Sequence, residues 1–237
     1  MTVNTPKISI IIPVLFEADI INRTIDAIYN QNMNNVEVIV IDGDENRSTI
    51  KMIEEKKVIR LSSSSGRSIQ MNYGADMAKG DIILFLHSDT LLSENSLIKI
   101  IETMKNKNIS AGAFDLTINA KHFAFRVIEK FATYRSRLTR IPFGDQAIFI
   151  RKDIFKKLCG YKEIPVMEDI DLMQRIKKAQ LKIRFISPGV LTSARRWKED
   201  GIIYCTLRNW CILILYFSGV SATRLFRYNT KSFKLDR

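Results

Sequence analysis

The first half of the chain alternates between short apolar runs and longer segments in which apolar residues recur at helical spacing. Predominantly apolar runs at residues 7–14, 37–41 and 82–86 are typical of strands that are covered on both faces of a sheet, and residues 58–61 are predicted as a further strand. Strands and helices that alternate in this order predict a parallel α/β sheet with right-handed crossovers. The predicted helices of this half cover residues 16–31, 48–56 and 93–105, with Ser93 as the N-cap of the last, and a short stretch that begins at Gly66 and Arg67.

Beyond residue 108 this alternation breaks. The longest apolar run near the end of the chain, residues 210–220, is too short to span a bilayer, and we expect a core helix there in preference to an interfacial one. With no repeat and no long linker, the pattern predicts one α/β domain over residues 1–237. The predicted elements of this half are strands at 111–118, 146–150 and 181–186, helices at 122–138, 168–179 and 202–217, and a helical turn at 154–158.

Composition sets the class and the compartment. The 237 residues are 46% hydrophobic and 26% charged, which suits a packed core and excludes a disordered chain. Cys159, Cys205 and Cys211 form no paired motif and indicate a reducing compartment, and two histidines cannot build a zinc site alone. The first residues lack the pattern of a signal peptide. We therefore expect a cytoplasmic protein.

The formal net charge of +12 favours partners that carry phosphate. Many lysines have the pattern of solvated helix surfaces, but the arginines of the C-terminal half lie among aromatic residues. Such a surface suits an anion or a membrane face. Peripheral contact with the inner face of a membrane through this basic half is an open alternative.

Four polar clusters follow predicted strands or begin predicted helices. In a parallel sheet, the ligand crevice lies outside the carboxyl ends of the strands, so the first three clusters are expected at one edge. The clusters are Asp42 after the second strand, Gly66 and Arg67 before a helix, His87, Ser88 and Asp89 after the fourth strand, and Glu168 and Asp169 at the start of a later helix.

Each cluster has a functional and a purely structural interpretation. The loop before Arg67 lacks a P-loop or a dinucleotide fingerprint, yet a helix N-terminus beside an arginine can bind phosphate or simply be capped by serine. His87 and Asp89 can ligate a divalent cation, with the imidazole favouring Mn²⁺ over Mg²⁺, or cap the next helix. The acids at 168–171 suit a general base, although the helix dipole alone explains them.

Taken together, these residues resemble family 2 glycosyltransferases of the GT-A fold. Residues 10–17 resemble the opening segment of that family, and Asp42 resembles its uracil-contacting aspartate. Residues 86–90 occupy the place of its Asp-x-Asp metal motif, and 168–169 that of its Glu-Asp base motif. The similarity covers roughly residues 7–190, and an ordered set of four motifs is far more specific than any one of them.

A narrower resemblance covers nearly the whole chain. Residues 66–72, 144–147, 165–169 and 192–197 are similar to a compact stand-alone subgroup associated with radical-SAM/selenium-domain proteins or with arsenosugar biosynthesis. The resemblance implies a Rossmann-like, mostly parallel central sheet flanked by helices, with a C-terminal helical extension on the acceptor side. Residues 1–107 would form the nucleotide-sugar-binding half, and residues 108–237 the acceptor-side half with its closing helix.

The resemblance also implies an inverting, non-processive hexosyltransferase. It would move a sugar from a nucleotide-diphosphate donor, with a UDP-sugar favoured, to a hydroxyl acceptor, with Mn²⁺ or Mg²⁺ as cofactor and no nucleic acid as partner. The implied nucleotide-sugar-binding residues are Pro13, Leu15, Glu17, Asp42, Gly66, Arg67, Asn72, Ser88 and Asp89. Among them, Pro13, Glu17 and Asp42 would hold the nucleoside, and Arg67 and Asn72 would lie near the ribose and diphosphate. Asp89 with His87 would hold the metal, and Asp169 would be the base, with Glu168 sharing that role. The implied acceptor-side residues are Asp145, Gln146, Arg195, Arg196 and Trp197.

Two departures and two rivals qualify this assignment. His87 replaces the first acid of the metal motif, so Asp89 is the safer ligand, and residues 195–197 lack the glutamine of the Gln-x-x-Arg-Trp motif of processive synthases. A sugar-nucleotide pyrophosphorylase would need a glycine-rich loop after the first strand, which residues 14–19 do not provide. A non-catalytic basic module binding anionic lipid or nucleic acid would explain the charge, but acids at strand ends would repel its phosphates.

Overall fold

An eight-stranded sheet forms the centre of the protein in a computed structural model that describes residues 7–233. Residues 1–6, where no signal peptide is expected, lie outside the described residues. The strands are β1 (Ile8–Val14), β2 (Val36–Asp42), β3 (Ile59–Ser62), β4 (Ile82–Phe85), β5 (Thr90–Leu91), β6 (Ile109–Asn119), β7 (Phe149–Arg151) and β8 (Lys182–Ser193). The helices are α1 (Ile21–Tyr29), α2 (Arg67–Met77), α3 (Ser96–Lys105), α4 (Phe123–Thr139), α5 (Lys152–Lys157), α6 (Glu168–Lys178), α7 (Arg195–Asp200), α8 (Ile202–Phe217) and α9 (Ala222–Phe233).

The predicted mostly parallel α/β sheet is confirmed. The strand order is β3-β2-β1-β4-β7-β6-β8-β5, and β3, β2, β1 and β4 run parallel. Val14 lies opposite Asp42, and Ile11 lies opposite Phe85, so β1, β2 and β4 end at the same edge. The short β7 is antiparallel to both β4 and β6, whereas β6 and β8 are parallel. The second half therefore extends the sheet rather than forming a separate layer.

Helices cover both faces of the sheet. Side chains of β1 alternate, so that Ile10 packs with α1 and α3 while Ile11 packs with α2 and α6. The sheet residues of both sets are fully buried. Continuous apolar strands covered on both sides are the arrangement that a parallel sheet requires. The strand ends, where polar residues begin, are thus the natural opening of the fold.

Two predictions in the first half were wrong. Residues 48–56 form only a 3₁₀ turn at Ile50–Met52, because the buried carboxylate of Asp42 accepts the backbone N–H groups of Thr49 and Ile50 and ties this segment to β2. Ser93 is not the N-cap of α3. Asn95 occupies that position with a left-handed φ of 59°, and the Ser93 hydroxyl contacts that of Ser96 at 3.0 Å.

Strand boundaries in the second half also differ from the prediction. β8 continues past residue 186 to Ser193, because it pairs with β6 as far as Asn119 and with the two-residue β5. Pro188 and Gly189 interrupt the apolar pattern and hide this continuation in the sequence. β7 begins at Phe149, since residues 144–146 form a 3₁₀ turn.

The helix predicted at 202–217 has the bounds of α8, but the expectation that it lies in the core was wrong. Only Cys205 and Ile212 of α8 are buried, and α9, which the sequence analysis did not predict, follows it. Apolar composition predicts a helix here without showing which neighbour covers it. Within residues 7–233, no helix combines the length and apolarity needed to cross a bilayer.

Gln70 ties the ends of β1 and β2 together. It lies on α2 with 3% of its surface exposed, and its amide Nε2 donates to the carbonyl oxygens of Val14 and Ile41, each at 2.8 Å. The carboxamide also lies 3.1 Å from the position that a Cβ would take at Gly43. A buried amide that donates to two strands fixes their relative position at the open edge.

We predict that Gln70→Ala lowers the free energy of unfolding by about 1–3 kcal/mol, because two buried hydrogen bonds are lost together. Urea denaturation of the two proteins measures the difference. Gln174→Ala, on the half-buried surface of α6, is the matched control and should change stability by less than about 0.5 kcal/mol. Equal losses in both variants would contradict the bridging role of Gln70.

Candidate active site

The open edge of the sheet brings together the strand-end clusters. Asp42 ends β2, and residues 86–89 follow β4 directly, with the Leu86 N–H donating to the Ile11 carbonyl of β1. Glu168 and Asp169 begin α6, and Asp169 contributes to the electrostatic environment of Asp145 together with Asp89. Acids from three distant parts of the chain thus face one region.

Asp42 is fully buried and uses its carboxylate within its own loop. Its oxygens accept the backbone N–H groups of Asp44, Thr49 and Ile50 at 2.9–3.1 Å. Asp44 continues this pattern, and hydrogen bonds from Ser48 lower the pKa of its carboxyl group. The first effect of Asp42 is therefore to shape the loop that borders the open edge, and its contact with a nucleoside remains a prediction.

Arg67 and Glu168 form an ion pair across the site. Arg67 Nη1 lies 3.3 Å from Glu168 Oε1, and the glutamate side chain is only 3% exposed. Burial raises the pKa of Glu168, Arg67 acts against that shift, and Asp169 adds to it. Arg67 follows Gly66, whose φ of 145° is accessible to glycine and strained for other residues. The pair joins the start of α2 to the start of α6.

Asp169 is the more accessible of the two adjacent acids and is held by a backbone donor. The Gly144 N–H donates to Asp169 Oδ2 at 2.6 Å. A Cβ on Gly144 would lie 2.9 Å from His87 Nε2 and 3.4 Å from Asp169 Oδ2, so a side chain there would crowd both groups. The 3₁₀ turn at 144–146 consequently sits between the residues after β4 and the start of α6.

Asp145 on the same turn is an unusual carboxyl group. Burial and the nearby charges of Asp169 and Asp89 raise its pKa to about 6, while Arg135 and Arg67 oppose the shift. Arg135 reaches this point from α4 with its guanidinium 3.4 Å from the centre of the Phe143 ring. The sequence analysis did not identify Arg135 as a site residue, because nothing in the pattern of α4 distinguishes it from the surface cations.

His87 is a neutral imidazole at neutral pH. Burial, with the charges of Arg67 and Arg196, lowers its pKa to about 3. A neutral ring nitrogen and the carboxylate of Asp89 are both acceptable ligands for Mn²⁺, and a diphosphate would supply further oxygens. Among the residues that the structure describes, no cluster of three or more His, Cys, Asp or Glu side chains forms a complete metal cage. The residues fit a cation that is held jointly with its phosphate ligand.

Two predicted ligand-binding amides are already paired within the protein. The Asn72 side chain exchanges two 2.8 Å hydrogen bonds with the backbone of Tyr161 and fixes the segment before α6. Gln146 is fully buried, accepts from Ser136 and donates to the Phe114 carbonyl, so it anchors the 144–146 turn to α4 and β6. Both residues position the site through their neighbours.

Two residues predicted on opposite sides of the site are in contact. Arg195 donates to both carboxylate oxygens of Glu17, at 3.0 and 3.3 Å. This pair connects the loop after β1 with the start of α7. The remaining nucleotide-side residues lie at the same edge: Pro13 and Leu15 at the end of β1, and Ser88, 6% exposed, between His87 and Asp89.

Arg196 and Trp197 border the site from α7. Arg196 is exposed and contributes to the field at His87. The Trp197 ring packs edge-on against Phe125 at 6.0 Å, and its indole N–H is buried without a hydrogen-bond partner among the described residues. An unpaired buried donor beside a cleft is a candidate for ligand binding.

Comparison with known proteins agrees with this geometry. The sheet and its open edge define the class of GT-A-fold glycosyltransferases. The model of the family "Glycosyl transferase family 2" matches residues 9–159, and the chain belongs to that family.

Among its relatives is the poly(ribitol-phosphate) beta-N-acetylglucosaminyltransferase TarP of Staphylococcus aureus strain N315. It is 32% identical over 161 residues, which cover 63% of this chain and 48% of TarP. The chain thus spans about half the length of this relative.

Solved structures share the fold at low sequence identity. Residues 1–349 of TarS from S. aureus superpose with a TM-score of 0.62 at 16% identity, covering 79% of this chain and 60% of that one. A mannosyltransferase of Pyrobaculum calidifontis, solved with GDP-Man and Mn²⁺, gives 0.60 at 20% identity, with 79% and 56% covered. These similarities show the shared fold.

We predict that Asp145→Asn changes the pH dependence of stability in metal-free buffer. The folded pKa of about 6 lies above the ordinary aspartate pKa of 3.8, so the wild type loses stability as pH rises between these two values. Relative to wild type, the variant should gain roughly 1–3 kcal/mol between pH 4 and pH 7. Urea unfolding across this range measures the difference, and parallel curves for the two proteins would contradict the raised pKa.

Proposed function

We propose that this protein transfers a sugar from a nucleotide-diphosphate donor to a hydroxyl group of an acceptor. The observation that carries the proposal is the position of Asp169. Its carboxylate is accessible, fixed by the Gly144 N–H at 2.6 Å, and located at the strand-end edge near Asp89 and Arg67. A fixed carboxylate beside a phosphate-binding edge is the arrangement that proton removal from an acceptor requires.

The reaction follows from the roles of these groups. The acceptor oxygen attacks the anomeric carbon and forms the new C–O bond, while its proton passes to Asp169. The bond between the anomeric carbon and the diphosphate oxygen breaks, and the electron pair leaves with the nucleoside diphosphate. Because a single displacement from the face opposite the leaving group needs one base and no enzyme nucleophile, the product has inverted configuration.

Glu168 suits a supporting role. Its buried carboxylate is paired with Arg67, so a proton taken up there would disturb an internal ion pair. The Arg67 side chain is 42% exposed and can donate a hydrogen bond to a phosphate oxygen. We therefore propose that Asp169 removes the acceptor proton and that Glu168 orients Arg67.

The leaving diphosphate carries the largest charge that the site must compensate. Arg67 and the N-terminus of α2 supply positive potential at one side. Asp89 and the neutral His87 would hold Mn²⁺ or Mg²⁺, which when bound neutralises the departing diphosphate. The solved relative that contains Mn²⁺ with GDP-Man supports this use of the fold.

Uridine is the nucleoside that we favour for the donor. TarP is named as an N-acetylglucosaminyltransferase, and one TarS structure was solved with UDP. The loop shaped by Asp42, together with Pro13, Leu15 and Glu17, would bind the nucleoside at the ends of β1 and β2. The GDP-Man complex of the mannosyltransferase makes guanosine the alternative to test.

We predict that Asp169→Asn lowers turnover at least roughly 100-fold while the Kd for UDP changes less than about threefold, because only proton removal is lost. Release of UDP from UDP-sugars and calorimetric binding of UDP provide the two measurements. Asp171→Asn, in the same helical turn and paired with Arg175, is the matched control and should keep turnover near wild type. Equal turnover in Asp169→Asn and wild type would remove Asp169 from the base role.

We also predict that Mn²⁺ strengthens thermal protection by UDP, since cation and diphosphate complete one another's coordination. Melting temperatures with UDP, GDP or TDP, each with Mn²⁺ or with chelator, identify the base. Asp89→Asn should abolish the Mn²⁺-dependent part of the protection and leave the Tm without ligand within a few degrees. Protection by UDP that is identical with Mn²⁺ and chelator would argue against a cation in this site.

A further inference from the structure

Helix α4 exposes an unbroken apolar stripe. Phe123, Val127, Phe131, Tyr134 and Leu138 are 45% to 77% exposed and recur three and four residues apart along one face of the helix. We call this row the α4 stripe. Exposed apolar residues are common singly, but a continuous row along a four-turn helix marks a surface that meets something other than water.

Helix α8 exposes a second stripe of the same kind. Ile203, Leu207, Trp210, Ile214 and Phe217 are 36% to 75% exposed and follow the same helical spacing. This α8 stripe is about 21 Å long at 1.5 Å per residue. The inner face of the helix packs on the protein through Cys205 and Ile212, so the stripe points outward.

The two stripes are neighbours. The rings of Phe131 and Trp210 lie 4.7 Å apart, which places α4 and α8 side by side. The charges beside the stripes are mostly positive. Lys121, just before α4, and Lys130 are exposed, and residues 201–233 contain no Asp or Glu. Glu129 on α4 is paired with Arg126, and Asp200 before α8 is paired with Arg208. An apolar platform with aromatic residues and a mostly basic border is complementary to an anionic lipid surface.

A cavity of 260 Å³ opens between the stripes and leads toward the proposed base. Val127, Phe131 and Trp210 belong to both the stripes and the cavity wall. Most of the other lining side chains are apolar, and the polar ones are Arg135, Asp145, Gln146, Thr206 and Asn209. Asp145 lies on the turn whose Gly144 N–H donates to Asp169. Trp197, whose indole N–H has no hydrogen-bond partner among the described residues, also lines the cavity. Apolar cavities of about 150 Å³ already bind a benzene ring, so this one can hold a ring system or a short chain segment.

We propose that the paired α4 and α8 stripes bind the surface of an anionic membrane, and that the cavity receives the apolar part of an acceptor lipid from it. The second part rests on the proposed function, because it makes the cavity the acceptor side of the site. The acceptor is then an amphiphile whose hydroxyl group lies toward Asp145 and Asp169 while its apolar part remains between the helices.

A second copy of the chain fits the stripes less well. It would bring together two chains of charge +12 and would cover the cavity between the stripes. A lipid surface instead matches the basic border and supplies a ligand for the cavity.

The membrane part is tested by sedimentation of the full chain with phosphatidylcholine vesicles that contain or lack phosphatidylglycerol. Wild type should bind the anionic vesicles, and the double variant Leu207→Gln/Ile214→Gln should bind them at least roughly 10-fold more weakly, because two apolar side chains no longer enter the lipid. The control Met52→Gln/Ile98→Gln changes two other exposed apolar residues, which lie outside the stripes, and should bind like wild type.

Three outcomes would overturn the membrane assignment. The first is wild-type protein that stays in the supernatant, and the second is a double variant (the stripe variant) that binds the vesicles like wild type. The third is a wild-type dimer, detected by light scattering, that is lost in the stripe variant, because the stripes would then be an interface between copies. Binding of UDP by the stripe variant, measured in parallel, separates failure here from failure of the proposed transferase function.

The cavity is tested with 2-naphthol, a fluorescent alcohol with a hydroxyl group on an apolar ring system. Wild type should bind 2-naphthol saturably in the absence of a nucleotide-sugar. Ala132→Phe, which adds a ring to the cavity wall and so occupies part of the cavity, should weaken this binding at least roughly 10-fold. If Ala132→Phe folds poorly, Val127→Trp is the second variant to test, because Val127 lines the cavity but is exposed, so a larger side chain there narrows the cavity without entering the core. The stripe variant should retain 2-naphthol binding. Unchanged affinity in a folded cavity variant, or no binding by wild type, would exclude the cavity as an apolar ligand site.

Discussion

The burial of several carboxyl groups in one region is the constraint on which this site depends. Burial, with the charges of Asp169 and Asp89, raises the pKa of Asp145, and burial, with the charge of Asp169, raises that of Glu168. Carboxyl groups in a sheltered crevice cannot all ionise unless cations balance them. Arg67 performs that task from α2, and Arg135 from α4 acts in the same direction on Asp145.

The fold was predictable because apolar runs specify buried strands directly. The four parallel strands, the position of Asp42 at the end of β2 and that of Asp89 after β4 followed from unbroken hydrophobic segments and their polar ends. A two-residue strand such as Thr90–Leu91 carries no pattern and was missed. α8 was predicted with correct bounds and the wrong surroundings, since periodicity describes one helix face and not what packs against it.

The acidic residues of the candidate site could be predicted from the sequence, but only some of the residues that position them could. Gly144 and Gln70 lie in segments that the family resemblance marks, but their roles depend on contacts with the backbone or side chains of segments far apart in the chain, which no local pattern reveals. Asn72 and Gln146 were selected as ligand-binding amides, yet the structure shows their polar atoms paired with backbone groups and a serine. Residue type indicates chemistry, whereas only the fold shows which atoms are still available for a ligand.

The Glu17–Arg195 pair has a consequence for how the site comes into being. It joins residues separated by 178 positions, so the rim of the crevice is completed only after nearly all the described chain has been synthesised. Long-range closures of this kind slow folding, because loop entropy is lost before the contact forms. Since a partly exposed ion pair contributes at most about 1 kcal/mol, the nascent sheet can exist without it. The pair therefore adds little to the stability of the sheet, whose strand β8 ends two residues before Arg195.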